Sequence, residues 1–225
     1  MHRHFLQDLE ALKTTLIRMS SVAEKSIAEA IKALLERNPE LARRVINEDE
    51  VINRLEMEID DRVVDILALQ QPVASDLRLI LAAQKINNDL ERIGDHAVNV
   101  AESALQYAAR PAIGGGKDLA QMGHITKLML REAIDSFIHS DADMARSVLK
   151  NDDIIDDMNR KIVNEMAEMM QKDQTAINQA LDLIRVSRNL ERVADLATNI
   201  AEEVIFFAEA HVVKHHQMDR PPRAF

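Results

Sequence analysis

The sequence has few of the residues that build strands, tight turns and disulfide scaffolds. Its 225 residues include no cysteine, no tryptophan, one tyrosine, five phenylalanines, five glycines and five prolines. Strands are rich in aromatic and β-branched residues, and the turns that join them need glycine or proline. The composition therefore excludes a β-sandwich, a β-barrel and a doubly wound sheet. The absence of cysteine excludes thiolate metal sites and cysteine nucleophiles, and it suits a reducing cytoplasm.

Basic charge and long apolar runs are scarce as well. There are 28 basic and 38 acidic residues, for a net charge of −10, so the chain lacks the basic surface that duplex nucleic acid requires. No apolar stretch approaches the roughly 20 residues of a membrane-spanning helix, and the first residues are too polar for a signal peptide. We therefore expect a soluble, cytoplasmic protein with no nucleic-acid partner and no direct membrane insertion.

Apolar residues, in contrast, are abundant and are spaced as in long amphipathic helices. They make up 47% of the chain and recur three or four residues apart, which is the period of one helical face. Asn38-Pro39, Gln70-Gln71-Pro72 and Arg110-Pro111 interrupt this pattern in the first half. Ser140-Asp141 and Asp173-Gln174-Thr175 supply capping residues in the second half. The sequence predicts an all-α protein of six long helices.

The two halves of the chain are repeats of each other. The segment KINNDLERIGDHAVNVAE at 85–102 aligns with RVSRNLERVADLATNIAE at 185–202, an offset of 100 residues. Helices two and five align at an offset of 103. We predict two tandem antiparallel three-helix bundles, residues 1–110 and residues 118–225, the second of which includes a short C-terminal tail. A flexible glycine-rich linker at 111–117 would join them.

A column of oxygen-bearing side chains follows the third predicted helix on the side away from its apolar stripe. At 100° per residue the column lies roughly 120–160° from the centre of the stripe. A solvated helix face is the simpler interpretation, but the sixth helix repeats the column, which favours a functional role. Within it, like charges four residues apart cost each helix a few tenths of a kcal/mol, about 0.2–0.5. The column and its copy consist of Glu91, Asp95, Asn99, Glu102, Glu191, Asp195, Asn199 and Glu202.

Two further polar pairs lie at the edges of the second and fifth predicted helices. Carboxylate and amide oxygens are hard ligands that suit Mg²⁺, Mn²⁺, Ca²⁺ or iron and argue against a structural zinc site. We predict two metal sites built from the pairs and the columns. Their predicted ligands are Asp49, Asn53, Glu91, Asp95 and Asn99 in the first half, and Asp152, Asp156, Glu191, Asp195 and Asn199 in the second.

Other polar motifs have simpler interpretations. His96 has no histidine at the equivalent position and is predicted to be a lone surface residue. His211, His215 and His216 are spaced to hold a metal, but a polar helix end is the better interpretation. The glycines at 114–116 lack the Lys and Ser/Thr of a phosphate-binding loop and are predicted to be linker.

The matching motifs of the two halves resemble those of the PhoU family. LERIGD at 90–95 and LERVAD at 190–195, each followed by Asn four residues on, carry the resemblance, together with QPVASDLR at 71–78. It covers roughly residues 5–213. It implies a six-helix, two-bundle cytoplasmic protein, often dimeric, that carries metal ions (Fe, Mn, Mg or Zn) on outer surfaces. Because Asn53 stands where the second half has Asp156, we expect the first site to have one carboxylate fewer and to bind metal more weakly.

The resemblance also implies a regulatory function rather than an enzymatic one. Members of the family connect the ATP-binding subunit of a phosphate transporter to a sensor histidine kinase, and they keep phosphate uptake and the starvation response off. Two alternatives stay open, a di-iron carboxylate oxidase and a metal-free structural helical adaptor. The oxidase would need Glu-x-x-His on core-facing helices, whereas the residues three positions after Glu91 and Glu191 are Gly94 and Ala194.

Overall fold

A computed structural model describes the backbone of residues 2–209 and the side chains of residues 4–209. Within this range the chain forms seven α-helices, a single short 3₁₀ helix and no strands. The all-α prediction and the duplicated bundle architecture are confirmed. The predicted tail beyond residue 209, with His211, His215 and His216, lies outside the described residues. The helices are α1 (His2–Glu36), α2 (Pro39–Gln70), α3 (Ala74–Ala108), α4 (Gly116–His139), α5 (Ala142–Lys150), α6 (Asp152–Lys172) and α7 (Ile177–Glu209).

The first bundle consists of α1, α2 and α3, which pack against one another in all three pairs. Its turns form where the sequence predicted them. Asn38 caps α2 by accepting a hydrogen bond from the Leu41 amide at 3.1 Å, and Pro39 occupies the first helical position. Gln71 ends α2 in the left-handed region at φ 46°. The two turns reverse the chain twice, so that the three helices run antiparallel.

The second bundle departs from the prediction in one element. Asp141 starts α5, as predicted, by accepting hydrogen bonds from the Asp143 and Met144 amides at 3.0 Å. The predicted fifth helix is then divided at Asn151, whose amide donates to the Val148 carbonyl at 3.1 Å, into the short α5 and the longer α6. The fold therefore has seven α-helices among the described residues where the sequence predicted six.

The predicted apolar stripes form the hydrophobic core. Along α3, Ile86, Leu90, Ile93 and Ala97 are all fully buried, as the spacing required. Burying each large aliphatic side chain stabilises the fold by about 1.5–3 kcal/mol, so helix pairing rather than helix propensity holds the bundles together. No helix in residues 2–209 is long and apolar enough to cross a membrane.

The two bundles meet through α3 and α7, which run antiparallel. Lys85 Nζ lies 2.7 Å from Glu203 Oε1, and His96 Nδ1 lies 2.8 Å from Asn189 Oδ1. As the residue number rises along α3, the number of the contacting residue on α7 falls, so the two helices are antiparallel. Because the helices are equivalent in the repeat, a pseudo-two-fold axis crosses their interface near the middle of each helix.

The connection between the bundles is held by side chains. The Tyr107 hydroxyl and the backbone of Ile113 exchange hydrogen bonds at 3.0 Å, and Arg110 forms an ion pair with the buried Asp182 of α7. Gly115 adopts φ +104° and caps α4. The last residues of the predicted linker, Gly116 and Lys117, already belong to that helix.

Candidate functional site

The structure brings the polar pair of α2 beside the acidic column of α3. Asn53 Nδ2 donates a hydrogen bond to Asp49 Oδ2 at 3.2 Å. Asp95 interacts electrostatically with both Asp49 and Glu91. Together with Glu56, described below, these four residues form what we call the α2/α3 cluster. Four of the five residues predicted for the first metal site are therefore neighbours in space.

A glycine allows α2 to approach α3 closely at this cluster. A Cβ atom added to Gly94 would lie 2.8 Å from Ile52 Cδ1 and 3.0 Å from Asp49 Oδ1. The Asp49 carboxyl group therefore rests against the backbone of α3, in space that a side chain at position 94 would fill. The second copy has Ala194 at the equivalent position, where a side chain is already present.

Glu56 of α2 belongs to the cluster and was missed by the sequence analysis. It interacts electrostatically with Glu91 and Asp95. Its equivalent at the offset of 103 is Asn159, a buried neutral residue that accepts a hydrogen bond from the Ser187 hydroxyl at 2.5 Å. A comparison of the two repeats therefore could not identify Glu56. Its position one helical turn after Asn53, however, places it on the same face of α2 as the predicted ligands. With Glu56 counted, the α2/α3 cluster holds four carboxylates, whereas the weaker metal binding expected of the first site stays a prediction.

The carboxyl groups of the cluster repel one another. Burial is the largest cause that raises the pKa of Asp49, of Glu56 and of Glu91. Repulsion by Asp95 raises the pKa of all three further, while the hydrogen bond from Asn53 partly opposes the shift at Asp49. The negative charge held at this edge of the first bundle would be offset by a bound cation or proton.

The second predicted set is arranged differently. Arg192 Nη1 lies 2.9 Å from Asp195 Oδ2, and Arg160 Nη1 lies 4.0 Å from Asp156 Oδ2. These arginines, one turn away on α7 and α6, supply the second set with positive charge of its own. Glu191 is half-buried on α7.

The remaining predicted residues lie at the edge of these groups. Asn99 is exposed one turn beyond Asp95 on α3. Asp152, Asp195 and Asn199 line a cleft of about 860 Å³ between the two bundles, which we call the interbundle cleft. Three of the five residues predicted for the second metal site therefore line the same cleft.

The interbundle cleft also contains His96, which was predicted to be a lone surface residue. That prediction is wrong, because His96 is half-buried and its Nδ1 lies 2.8 Å from Asn189 Oδ1. The sequence could not reveal this contact, since it joins two bundles whose relative placement no local pattern encodes. The cleft is also lined by Asp89 and by the ion pair of Lys85 with Glu203.

The ligand types of the α2/α3 cluster fit a hard metal ion. Its side chains, however, do not point at a common position where such an ion could bind. The donors are carboxylate and amide oxygens, and Gly94 leaves space beside Asp49. Within the described part of the chain, however, no three His, Asp or Glu side chains are arranged to hold a metal ion. Binding would therefore require side-chain rotation, which half-exposed carboxylates on two helices can make.

Comparison with known proteins places these features in a family. The PhoU domain model matches residues 16–104 and 119–204, once in each bundle. The phosphate-specific transport system accessory protein PhoU homolog of Clostridium acetobutylicum is 36% identical over 203 residues, which cover 90% of this chain and 93% of the relative. The homolog of Aquifex aeolicus is 37% identical over 212 residues, covering 94% and 96%. PhoU of Escherichia coli is 31% identical over 211 residues, covering 94% and 88%.

Solved structures agree with the sequence comparison. The crystal structure of PhoU from Pseudomonas aeruginosa superposes with a TM-score of 0.89 and 38% identity, covering 92% of this chain and all of that one. The phosphate transport system regulatory protein PhoU from Streptococcus pneumoniae has a TM-score of 0.86 and 28% identity, covering 94% and 100%. The duplicated bundles and the matched domain in each half show that this chain belongs to the PhoU family.

Proposed function

We propose that this protein is a negative regulator of phosphate uptake and of phosphate-starvation signalling, and that it acts by binding other proteins rather than by catalysis. The observation that carries the proposal is the relatives named phosphate-specific transport system accessory proteins, which match over 90% or more of the chain. As a cytoplasmic adaptor, it would join the ATP-binding subunit of a phosphate transporter to a sensor histidine kinase. It would act as a homodimer.

The α2/α3 cluster supports a metal-dependent form of this role. A divalent or iron ion (Fe, Mn, Mg or Zn) bound there would supply positive charge between two helices. The residues that would hold it are Asp49, Asn53, Glu56, Glu91 and Asp95, with Asn99 at the edge of the site. The second set, Asp152, Asp156, Glu191, Asp195 and Asn199, would form a second site, in which arginines lie near two of the carboxylates.

The cluster would act on partner binding by fixing α2 against α3. Its carboxyl groups must be deprotonated to bind metal, so affinity would fall as the pH approaches their raised pKa values. A bound ion would remove the repulsion centred on Asp95 and favour one arrangement of the two helices. A partner that prefers that arrangement would then bind more tightly.

The two alternatives are less well supported. An oxidase site would need histidines three positions after its glutamates on core-facing helices, whereas Gly94 and Ala194 occupy those positions and Asp95 is exposed. A metal-free adaptor would leave the repulsion between Asp95 and its neighbours Asp49 and Glu91 without a compensating cation. Metal analysis of protein purified without added metal distinguishes the metal-free adaptor from the other two.

Deletion of the gene tests the regulatory role. Phosphate-starvation genes should then be expressed in rich phosphate, and the unaltered gene should restore repression. A gene carrying Glu91→Gln and Asp95→Asn should fail to restore it, whereas Glu102→Gln, an exposed change on the same helix, should succeed. Normal phosphate control in the deletion strain would exclude the regulatory function.

Calorimetric titration with Mn²⁺ tests the metal sites separately. Glu91→Gln with Asp95→Asn should remove binding at the first site, and Glu191→Ala with Asp195→Ala should remove it at the second. All four side chains lie off the apolar stripes, so the changes open no cavity and the fold should persist. Unchanged Mn²⁺ binding in both double variants would show that the clusters are not metal sites.

A further inference from the structure

The first bundle exposes a row of aliphatic side chains where α3 begins. Val73, Leu77 and Leu81 follow one another at intervals of four residues, and their exposed fractions are 69%, 36% and 42%. Successive members are turned by about 40° around the helix and lie about 6 Å apart along it, so they form one strip, which we call the α3 row. Leu69, at the end of α2, is 73% exposed. A single exposed leucine is ordinary on a protein surface, whereas a contiguous apolar strip indicates a surface that contacts another segment.

The second bundle does not repeat the most exposed part of this surface. At the offset of 100 residues Val73 is replaced by Asp173, and at the offset of 103 residues Leu69 is replaced by Lys172. Both replacements are exposed as well, so the same places at the end of the second bundle carry charge. The apolar end is therefore specific to the first bundle.

The helix α7 ends beside the α3 row. Lys85 Nζ lies 2.7 Å from Glu203 Oε1 and 5.6 Å from the centre of the Phe206 ring. Because α3 and α7 run antiparallel, the last turn of α7, which ends at Glu209, lies level with Leu81, and the rest of the α3 row lies ahead of it. An extended chain advances by at most about 3.3–3.6 Å per residue, so two residues span the roughly 6 Å from one member of the row to the next. The row is therefore within reach of the residues that follow α7.

The other half of the repeat shows what a segment in this position does. Arg110, which follows α3, forms an ion pair with the buried Asp182 near the start of α7. The segment after the last helix of the first bundle thus contacts the last helix of the second. At the offset of 100 residues the two charged partners are both replaced by alanine, Ala210 and Ala82, and Ala82 is fully buried. The paired replacement keeps the two positions chemically compatible with a contact.

Residues 210–225, which lie outside the described part of the chain, have a composition that suits the α3 row. Val212 and Val213 are apolar and come soon after the end of α7. Position 211 is histidine where the first half has Pro111, so no proline directs the chain away from α3 at this point. The segment contains three basic residues and one acidic residue, a positive excess that is attracted to the rest of a chain whose net charge is −10.

We propose that the segment following α7 docks on the α3 row of its own chain, with Val212 and Val213 covering Leu77 and Leu81. The docked segment removes apolar surface from water and extends the contact by which α3 and α7 hold the two bundles together. A second copy of the chain is the less favoured occupant, because it carries the same net charge of −10 and is repelled. This intramolecular contact is independent of the proposed regulatory function.

Labelling of a single introduced cysteine tests the docking, because the chain has no cysteine of its own. Leu77→Cys is made in the full chain and in a chain shortened after Glu209, and its reaction with a maleimide under native conditions is followed by mass spectrometry. The thiol should react about tenfold more slowly in the full chain, as expected if the row is covered roughly nine-tenths of the time. Ile177→Cys is the matched control, since Ile177 and Leu77 are 37% and 36% exposed, and it should react at the same rate in both chains.

A second variant separates loss of docking from damage to the end of α7. In the full chain, Val212→Asp with Val213→Asp should raise the labelling rate of Leu77→Cys to that of the shortened chain and leave the rate of Ile177→Cys unchanged. Equal labelling of Leu77→Cys in the full, shortened and doubly substituted chains would overturn the proposal. So would protection of Leu77→Cys that increases with protein concentration, because it would assign the α3 row to a second copy of the chain.

Discussion

At the scale of single residues, Asp89 shows what the contact between the bundles does to one carboxyl group. Its side chain is 13% exposed, and Arg92 Nη1 lies 3.6 Å from its Oδ1. Burial raises the pKa of Asp89 to about 6, and repulsion by Glu203 of α7 adds to the shift. Arg92 and Lys85 oppose it without cancelling it. The folded protein therefore holds a proton on Asp89 more tightly than the unfolded chain does.

We predict that Asp89→Asn stabilises the protein at neutral pH. Because the pKa is higher in the folded state, the unaltered protein loses stability as the pH rises from about 4 to about 6, and the neutral amide avoids that loss. The gain should be about 3 kcal/mol at pH 7.5 and well under about 1 kcal/mol at pH 4. Urea unfolding at both pH values measures it, with exposed Asp61→Asn as the control. An equal gain at both pH values would contradict the prediction.

At the scale of helices, α1 and α4 pack across the two bundles at a glycine. A Cβ atom added to Gly123 would lie 2.3 Å from Ile31 Cδ1 and 3.1 Å from Ile31 Cγ1. Ile31 is itself buried, so the whole side chain would have to move to admit a methyl group. The separation of α1 and α4 is therefore set by the missing side chain at this point.

We predict that Gly123→Ala destabilises the protein by about 1–2 kcal/mol, because overpacking outweighs the better helix propensity of alanine. Ile31→Val removes the nearest clashing atom, so the two changes together should cost less than the sum of their separate effects. A double-mutant cycle from denaturant unfolding measures this coupling. Additive effects, or an alanine variant more stable than the unaltered protein, would refute the overpacking argument.

Helix ends were predictable where a residue type determines the local backbone. Asn38 with Pro39, and Asp141 with its carboxyl group, form the predicted caps because their side chains bond nearby amides. The break at Asn151 was not predictable, since the stretch from 142 to 172 contains neither glycine nor proline. Both helices of the divided segment, α5 and α6, pack against α7, which is a contact between elements that the local sequence does not encode.

At the scale of the whole molecule, the segment that joins the bundles is tied to both of them. Arg37, which follows α1, donates to the carbonyls of Ala108 and Arg110, and its guanidinium lies 5.8 Å from the centre of the Tyr107 ring. Arg110 in turn pairs with Asp182, which is buried on α7. The connecting segment is thus bonded to residues at the ends of α1 and α3 and to α7, and it fixes these helices relative to one another.

We predict that Arg110→Met destabilises the protein by about 2 kcal/mol at pH 7.5, because it removes one of two arginines that compensate a buried carboxylate. Burial raises the pKa of Asp182, and Arg110 lowers it, so the loss should shrink as acid protonates the group. Thermal unfolding between pH 5 and pH 7.5 measures the effect, with exposed Arg54→Met as the control. Adding Asp182→Asn should recover part of the loss. A loss independent of pH would contradict the electrostatic explanation.

The residues of the candidate site could be predicted where equivalent residues occur in both halves of the chain. Asp49, Asn53, Glu91 and Asp95 could be found because their equivalents recur in the second half at fixed offsets. Glu56 and His96 could not, since Asn159 and Leu196 replace them in the other copy. Their roles depend on how α2 meets α3 and how α3 meets α7, which are contacts between elements and not properties of any one segment.

The antiparallel pairing of α3 with α7 has a consequence for how the sequences of the two halves could diverge in evolution. Each half buries one face of its last helix against the same face of the other half, as two identical subunits would in an isologous dimer. In such a dimer every substitution appears twice, on both sides of the axis. Fusion into one chain removes that constraint, so one half could acquire Gly94 and Glu56 while the other kept Ala194 and Asn159. The fused chain can specialise one side while preserving the shared interface that holds both together.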